Sequence, residues 1–495
     1  MLGYALFLVP MVLAFWLIAR RQGARQALLD LIAFNLFFAF DFTAITPGQT
    51  NVQLLHLLLL LYLGYEAACL LQQGRLTLRL RLLLVLVAAA LLIGWVGLAS
   101  VENRLGEWGA IRVINYVTRI YLLSALFLFV GAALVRAGRL RRFLLIFCFA
   151  GMLVGAISLI QSASLGRWLA GDTDPRYLGV FQPVGDAAFQ ARLQYFAATD
   201  FINQVRKITV GGVTVYRAIG TFNGAPAALV VGALVALCLL TARDPMPRWL
   251  PLAFALMVGG VAAAFIRTML ATFILLAIGV LALRFRSVLT SRRSVVWLLP
   301  MLFVGLLFSL LLPPVQTALA VTYDGFFGAK AGRELASLNG RTALWSLVLA
   351  EIGRHPLFGT NRPIIGLEIS WGDNSNPEFG LSTHNSFLEV AYNAGIFPAL
   401  LLAGLFLFAL LRAASLTASR RFSRSQRSLF LALLMALAAL TIVNQTGDWM
   451  NTGQIAALFW ILCGFLAAYP RAPLSQQAAV SPSPAQPALA GVNRP

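Results

Sequence analysis

Four residues stand where apolar stretches give way to polar ones, and their types suit chemistry on a phosphorylated substrate: Arg217, Arg267, Arg341 and His384. Arginine carries a planar fork that binds phosphate oxygens in pairs and keeps its charge throughout the physiological range. Three such forks converging on one point would hold a pyrophosphate without a metal. A neutral imidazole accepts the proton of a hydroxyl while that oxygen attacks. The set therefore suits a displacement in which an alcohol enters and a pyrophosphate leaves.

Each residue also has a plainer reading. Arg217, in Tyr-Arg-Ala-Ile-Gly-Thr-Phe-Asn-Gly, reads equally as an interfacial arginine snorkelling to headgroups. Arg267 lies in a tight turn between two apolar spans, and Arg341, in Leu-Asn-Gly-Arg-Thr-Ala-Leu-Trp, suits a solvated helix end. His384, in Ser-Thr-His-Asn-Ser-Phe-Leu-Glu, is followed by Glu389, a candidate for orienting the imidazole. The other two histidines are expected to be structural: His56 falls inside an apolar span and His355 in the turn-like Gly-Arg-His-Pro-Leu-Phe-Gly. Asp172 and Asp174 have the look of a divalent-metal pair. A turn before Pro175 accounts for both, so no metal and no cofactor is expected.

The elements that must position these residues are set by composition. The 495 residues are 60% hydrophobic and 11% charged, with a mean hydropathy of +0.82. Soluble chains carry about 25% charged residues, so the apolar excess must face lipid. The reading is an all-α integral membrane protein with about thirteen transmembrane helices, each apolar stretch long enough for a hydrocarbon layer of roughly 30 Å. The spans are expected near 2–19, 27–46, 52–72, 82–100, 113–135, 143–163, 223–241, 249–266, 268–283, 295–313, 391–411, 428–445 and 453–469. The first lacks a basic leader and a small-residue cleavage site, and reads as a retained span.

A net charge of +20 invites a nucleic-acid reading, but the basic residues lie in short clusters between apolar spans. Arg20-Arg21, Arg75 to Arg81, Arg136 to Arg142, Arg243 and Arg248, Arg284 to Arg293 and Arg412 to Arg427 all fall on one side when the spans alternate. That is the pattern of positive cytoplasmic loops, and nucleic-acid binding is set aside. The four cysteines (Cys69, Cys148, Cys238 and Cys463) are dispersed through apolar spans, with neither disulfide nor zinc spacing.

The expected organisation is N-terminal transmembrane helices over 1–163, a first periplasmic loop over 164–222, and central transmembrane helices over 223–313. A second periplasmic loop follows over 314–390, then C-terminal helices over 391–469 and a disordered cytoplasmic tail over 470–495. Both loops hold aromatic residues, among them Trp168, Tyr177, Trp345 and Trp371, and so have something to bury. In the second, Leu344, Leu347, Val348 and Ile352 are expected on one face of a short amphipathic helix. It would lie either along the membrane surface or packed on the bundle top.

At this point the motifs resemble those of a known family. Gly340-Arg341, Trp345, His355-Pro356-Leu357-Phe358-Gly359, Thr383-His384-Asn385 with Leu388-Glu389, and Gly395-Ile396 resemble the signature of the O-antigen ligase and O-antigen polymerase superfamily. Arg217-Ala-Ile-Gly220-Thr221-Phe222 resembles the same family's entry to a mid-chain span, and Arg267 stands where members carry an arginine. The resemblance covers roughly 210 to 465. Members often continue Gly-Thr-Phe with Asn-Pro-Asn, whereas this chain has Asn223-Gly-Ala-Pro226. The resemblance implies a GT-C-like, metal-independent membrane glycosyltransferase that takes a glycan from undecaprenyl pyrophosphate on the periplasmic face of the inner membrane. It implies that Arg217, Arg267 and Arg341 grip the pyrophosphate and that His384 activates the acceptor hydroxyl.

Two branches stay open: a polymerase that lengthens a surface polysaccharide, O-antigen or exopolysaccharide, and a ligase that passes the chain to lipid A-core. The long first outer loop leans toward the polymerase, since it suits a second glycan-holding surface. A lipid-linked sugar transporter is the rival from another class, but no internal repeat is visible and the distinctive polar residues lie at one edge. Expected partners are the undecaprenyl-pyrophosphate-linked glycan, an acceptor glycan or lipid A-core, membrane lipids, and other polysaccharide export and assembly proteins.

Overall fold

The computed structural model describes residues 2–38, 41–42, 52–73, 80–168, 207–210, 213–216, 225–242, 244–264, 266–289, 344–360, 383, 385–445, 447, 450 and 453–470. Its helices are α1 (Leu2–Gln22), α2 (Ala24–Asn35), α3 (Leu54–Gln73), α4 (Leu80–Tyr116), α5 (Leu123–Ala137) and α6 (Leu140–Trp168). They continue with α7 (Ala225–Leu240), α8 (Leu250–Ala263) and α9 (Arg267–Leu289), and with a helix over 344–354, α10. The last four are α11 (Ser386–Ala394), α12 (Ile396–Ala418), α13 (Arg424–Asn444) and α14 (Gly453–Ala468). Two short antiparallel hairpins accompany this all-α bundle: β1 (Asp41–Phe42) with β2 (Val52–Gln53), and β3 (Lys207–Val210) with β4 (Val213–Tyr216).

Five of the described helices are long and apolar enough to cross a membrane: Leu80–Asn103, Ile120–Ala137, Leu140–Leu159, Ile396–Ala418 and Arg424–Asn444. Five shorter apolar helices, Leu54–Cys69, Ala225–Leu240, Leu250–Ala263, Thr268–Arg284 and Gly453–Ala468, stand at further expected spans. The span expected at 295–313 lies outside the described residues. That expected at 27–46 is shorter as a helix, because α2 ends at Asn35 and β1 follows. This is a multi-pass membrane protein.

Burial separates two kinds of helix. In α7 every residue from Ala225 to Leu239 is buried, and in α14 every one from Gln454 to Ala468. Helices apolar on all sides belong inside a bundle, and α7 is enclosed by α6, α8, α9 and α13. The outer helices instead present leucine to the surroundings: Leu84, Val87, Leu91 and Leu98 on α4, and Leu400, Leu407 and Leu411 on α12, are all exposed. Such a belt is stable only against lipid. Between α5 and α14 the backbones touch. A Cβ at Gly131 would strike the Ile461 carbonyl, and one at Gly464 the Leu128 carbonyl. Small residues permit this close approach, which is how membrane helices associate when apolar burial gives no net drive.

α4 is helical to Tyr116, a π-helical turn (Val117–Leu122) follows, and α5 continues. A straight helix would separate positions 97 and 117 by about 30 Å. A Cβ at Gly97 would nevertheless lie 3.9 Å from Val117 Cγ1. The chain therefore folds back between these two positions.

Among the described residues, arginines of several basic clusters meet carboxylates and carbonyls of neighbouring elements at one end of the bundle. Arg25 and Arg136 both pair with Glu66, Arg142 pairs with Asp30, and Arg141 donates to the Pro245 carbonyl. Arg284, near the end of α9, lies within electrostatic range of Asp244, Arg424 and Arg427. Arg412 donates to the Tyr469 carbonyl at 2.9 Å.

Candidate functional site

The polar residues with chemical potential gather at the other end. α13 runs from Arg424 at the basic end to Asn444, whose carboxamide oxygen accepts from Ser386 Oγ at 2.6 Å. Ser386 opens α11, and its hydroxyl also accepts from Met450 N at 3.3 Å. Asn385 caps this helix: its Oδ1 accepts from Phe387 N and Leu388 N at 3.0 and 3.2 Å, while its Nδ2 donates to Gln445 Oε1 at 3.2 Å. An N-cap asparagine satisfies backbone donors that the helix itself cannot. Here the same side chain also ties α11 to the end of α13.

The residue on the other flank of His384 is pinned as firmly. Thr383 is fully buried; its N–H donates to Glu389 Oε2 at 3.0 Å and its carbonyl accepts from Trp345 Nε1 at 2.8 Å. The second carboxylate oxygen of Glu389 accepts from Asn393 Nδ2 at 2.8 Å. Glu389 thus braces the backbone beside His384 with one oxygen and the last turn of its own helix with the other. Side-chain anchoring of this kind fixes the geometry on which catalytic groups depend.

α10 explains why Trp345 is in place. Leu344, Val348 and Ile352 are buried and pack on Ala391 and Tyr392 of α11. Leu347 is exposed, so the buried face repeats every four residues and leaves it out, contrary to the expected grouping. The helix is packed on the bundle rather than laid with its apolar face on lipid.

The turn after α10 locks to the break between α11 and α12. Thr360 N donates to the Tyr392 carbonyl at 2.9 Å, and Ile396 N to the Pro356 carbonyl at 2.8 Å. Gly359 and Gly395 have φ of +68° and +94°. A Cβ at Gly359 would strike the Tyr392 carbonyl, and one at Gly395 the Leu357 carbonyl. Both positions need glycine for conformation and for space. His355 Nε2 lies 3.5 Å from Glu351 Oε1.

α4 supplies a clamp that sequence reading missed. Trp95 Nε1 donates to the Leu357 carbonyl at 2.9 Å, and Asn103 Nδ2 to the Phe358 carbonyl at 2.7 Å. The Trp95 ring stacks on Phe358 with centroids 5.4 Å apart and meets Phe397 at 4.8 Å. Trp95 and Asn103, at the point where α4 turns from apolar to polar, were the available signal. Nothing local connects them to a motif more than 250 positions away.

Of the five residues singled out from sequence, Glu389 is described in full. Arg217, Arg341 and His384 lie outside the described residues, as do Asp172 and Asp174, and of Arg267 only the backbone is described. The neighbouring elements nonetheless bound their positions along the chain. Arg267 opens α9, which ends among the basic loops beside the start of α13. Its first turn is therefore at the same end of the bundle as Asn444 and α11. Arg341 stands three residues before α10, and Arg217 directly follows β4, which lies against α6.

No curated protein matches the chain. The family model described as O-Antigen ligase matches residues 252–403, a stretch that holds Arg267, Arg341, His384 and Glu389. That match supports the resemblance drawn from the motifs over this stretch of the chain.

Proposed function

We propose that this protein transfers a glycan from undecaprenyl pyrophosphate to an acceptor sugar hydroxyl, at the end of the bundle away from its basic loops. Those loops would face the cytoplasm, as would the C-terminus, and the chemistry would take place on the periplasmic face of the inner membrane. The observation that carries the reading is the family match across Arg267, Arg341, His384 and Glu389, joined to the bracing of residues 383 and 385.

In this mechanism neutral His384 takes the proton of the acceptor hydroxyl. The oxygen forms a bond to the anomeric carbon, and the bond from that carbon to the pyrophosphate breaks. The departing oxygen keeps the electron pair. Arg217, Arg267 and Arg341 stabilise the charge that grows there, and Glu389 holds the backbone that carries His384. Fixed charges aimed at a leaving group are the largest catalytic term in many enzymes, and one lost donor costs about 10²–10³ in rate. No metal is needed in this scheme, because the arginines fill the electrostatic role.

The product is proposed to be a lengthened surface polysaccharide. The ligase reading is favoured by the description of the matching family, and it would place the chain on lipid A-core. Purified protein offered lipid-linked repeats alone should lengthen them if it is a polymerase, whereas a ligase should modify lipid A-core only. His384→Ala and Arg341→Ala should each reduce transfer by about a hundredfold or more while the protein still reaches the membrane at normal level. Normal polymer length or normal ligation in both variants would reject the assignment.

A further inference from the structure

At the basic end of the bundle, arginines from two helices close on one carboxylate of a third. Arg25 Nη2 of α2 lies 3.1 Å from Glu66 Oε2 of α3, and Arg136 Nη2 of α5 lies 3.3 Å from the same oxygen. Tyr62, one turn earlier on α3, donates to Glu66 Oε1 at 2.9 Å. The carboxylate is thereby satisfied, and the cluster keeps one positive charge in surplus. The Glu66 side chain is only 12% exposed, whereas those of Arg25 and Arg136 are 35% and 51% exposed. Glu66 thus sits behind two guanidinium groups that open outward, close enough together for one phosphate to take a donor from each. The helices α1, α2, α3, α5 and α6 hold two acidic residues, Asp30 and Glu66, and Asp30 is already paired with Arg142. Arg20, Arg21 and Arg139, exposed at the neighbouring helix ends, add to the positive field.

On α3 an exposed apolar track leads to this cluster. Leu57, Leu61 and Tyr65 recur every four residues, are 43%, 54% and 39% exposed, and end at the residue before Glu66. The track is about 12 Å long, and a tyrosine at its polar end suits the boundary between hydrocarbon and headgroups. An apolar track that ends beside open guanidinium groups matches a molecule with an acyl chain and an anionic head. We propose that Arg25 and Arg136 bind the phosphate of an anionic phospholipid, whose acyl chain lies along Leu57, Leu61 and Tyr65. A zwitterionic head fits less well, because its cation would meet arginines whose one carboxylate is already engaged. The site is at the opposite end of the bundle from the proposed glycan chemistry and does not depend on it.

The test uses the full chain, delipidated in neutral detergent, with phosphatidylglycerol, phosphatidylcholine and inorganic phosphate as probes. Native mass spectrometry of the unaltered protein should show one tightly held phosphatidylglycerol, and the same lipid should raise the melting temperature. Arg136→Gln leaves Glu66 its bonds to Arg25 and Tyr62, so the protein should still fold, and phosphatidylglycerol should bind about tenfold more weakly or worse. Arg139→Gln, at an exposed position three residues on, should leave binding intact. Leu57→Ser combined with Leu61→Ser, both at exposed positions, should weaken it independently of the arginines. Equal retention of phosphatidylcholine would overturn the proposal, as would equal loss in Arg136→Gln and Arg139→Gln, which means only diffuse attraction. Unchanged binding in the double serine variant would overturn the placement of the acyl chain. A full melting shift from inorganic phosphate alone would overturn the lipid assignment in favour of a soluble anion.

Discussion

Glu389 shows how one side chain can hold a segment before its helix, at Thr383, and the last turn of that helix, at Asn393. Its carboxylate takes the N–H of Thr383 on one oxygen and the amide of Asn393 on the other, so it ties the approach to α11 to that helix's last turn. Glu389→Ala leaves both donors without their acceptor, at about 1–3 kcal/mol. The expected outcome is a lowered melting temperature in detergent and glycan transfer reduced at least about tenfold. Glu389→Gln retains one oxygen and should fall between the two. If Glu389→Ala lost stability but kept full transfer, the brace would be architectural only. Glu389 was visible in sequence as a partner for His384, but its bond to Thr383 was not, because a backbone donor leaves no mark on residue type.

At the scale of elements, the break between α11 and α12 is held by its meeting with the turn after α10. Gly395 stands at that meeting with a φ of +94° and no room for a Cβ beside the Leu357 carbonyl. Gly395→Ala must take an unfavourable backbone conformation and displace the turn, at about 1–3 kcal/mol for the backbone alone. Hydrogen exchange should then rise across 355–360, with transfer reduced alongside. Unchanged protection of that segment would mean that the two elements dock without the glycine. The apolar face of α10 shows where sequence pattern fell short. Leu344, Val348 and Ile352 face α11, while Leu347, though apolar, faces out. A leucine on a membrane protein can satisfy either neighbour, so hydropathy alone does not say which it meets.

For the molecule as a whole, ion pairs at the basic end join the N-terminal helices to one another, α2 to α3 and α6, and α3 to α5. Asp30 sits in the middle of α2 with a side chain only 4% exposed, and Arg142 of α6 holds it through Nε at 3.0 and 3.1 Å. Removing one member of a buried pair strands the other, at about 3–5 kcal/mol. Arg142→Ala should therefore lower the melting temperature strongly, and Asp30→Asn placed beside it should recover much of the loss. A double variant no better than the single would show that Arg142 acts by packing. Glu66 plays the same part between Arg25 and Arg136, with Tyr62 donating to it at 2.9 Å. Arg25, Arg136 and Arg142 thus gain carboxylate partners once the bundle closes.

Sequence alone determined that the chain lives in a membrane and roughly where many of its apolar helices lie. Those properties follow from transfer energies and charge, which each segment carries by itself. It also marked the motif residues at which a family match was later found. Tertiary structure alone decided that Trp95 and Asn103 clamp a turn far along the chain, and that two carbonyl-facing glycines fit one element into another. It likewise decided that α2 stops early. These depend on distances between segments remote in sequence, which arise only when the helices have chosen their neighbours.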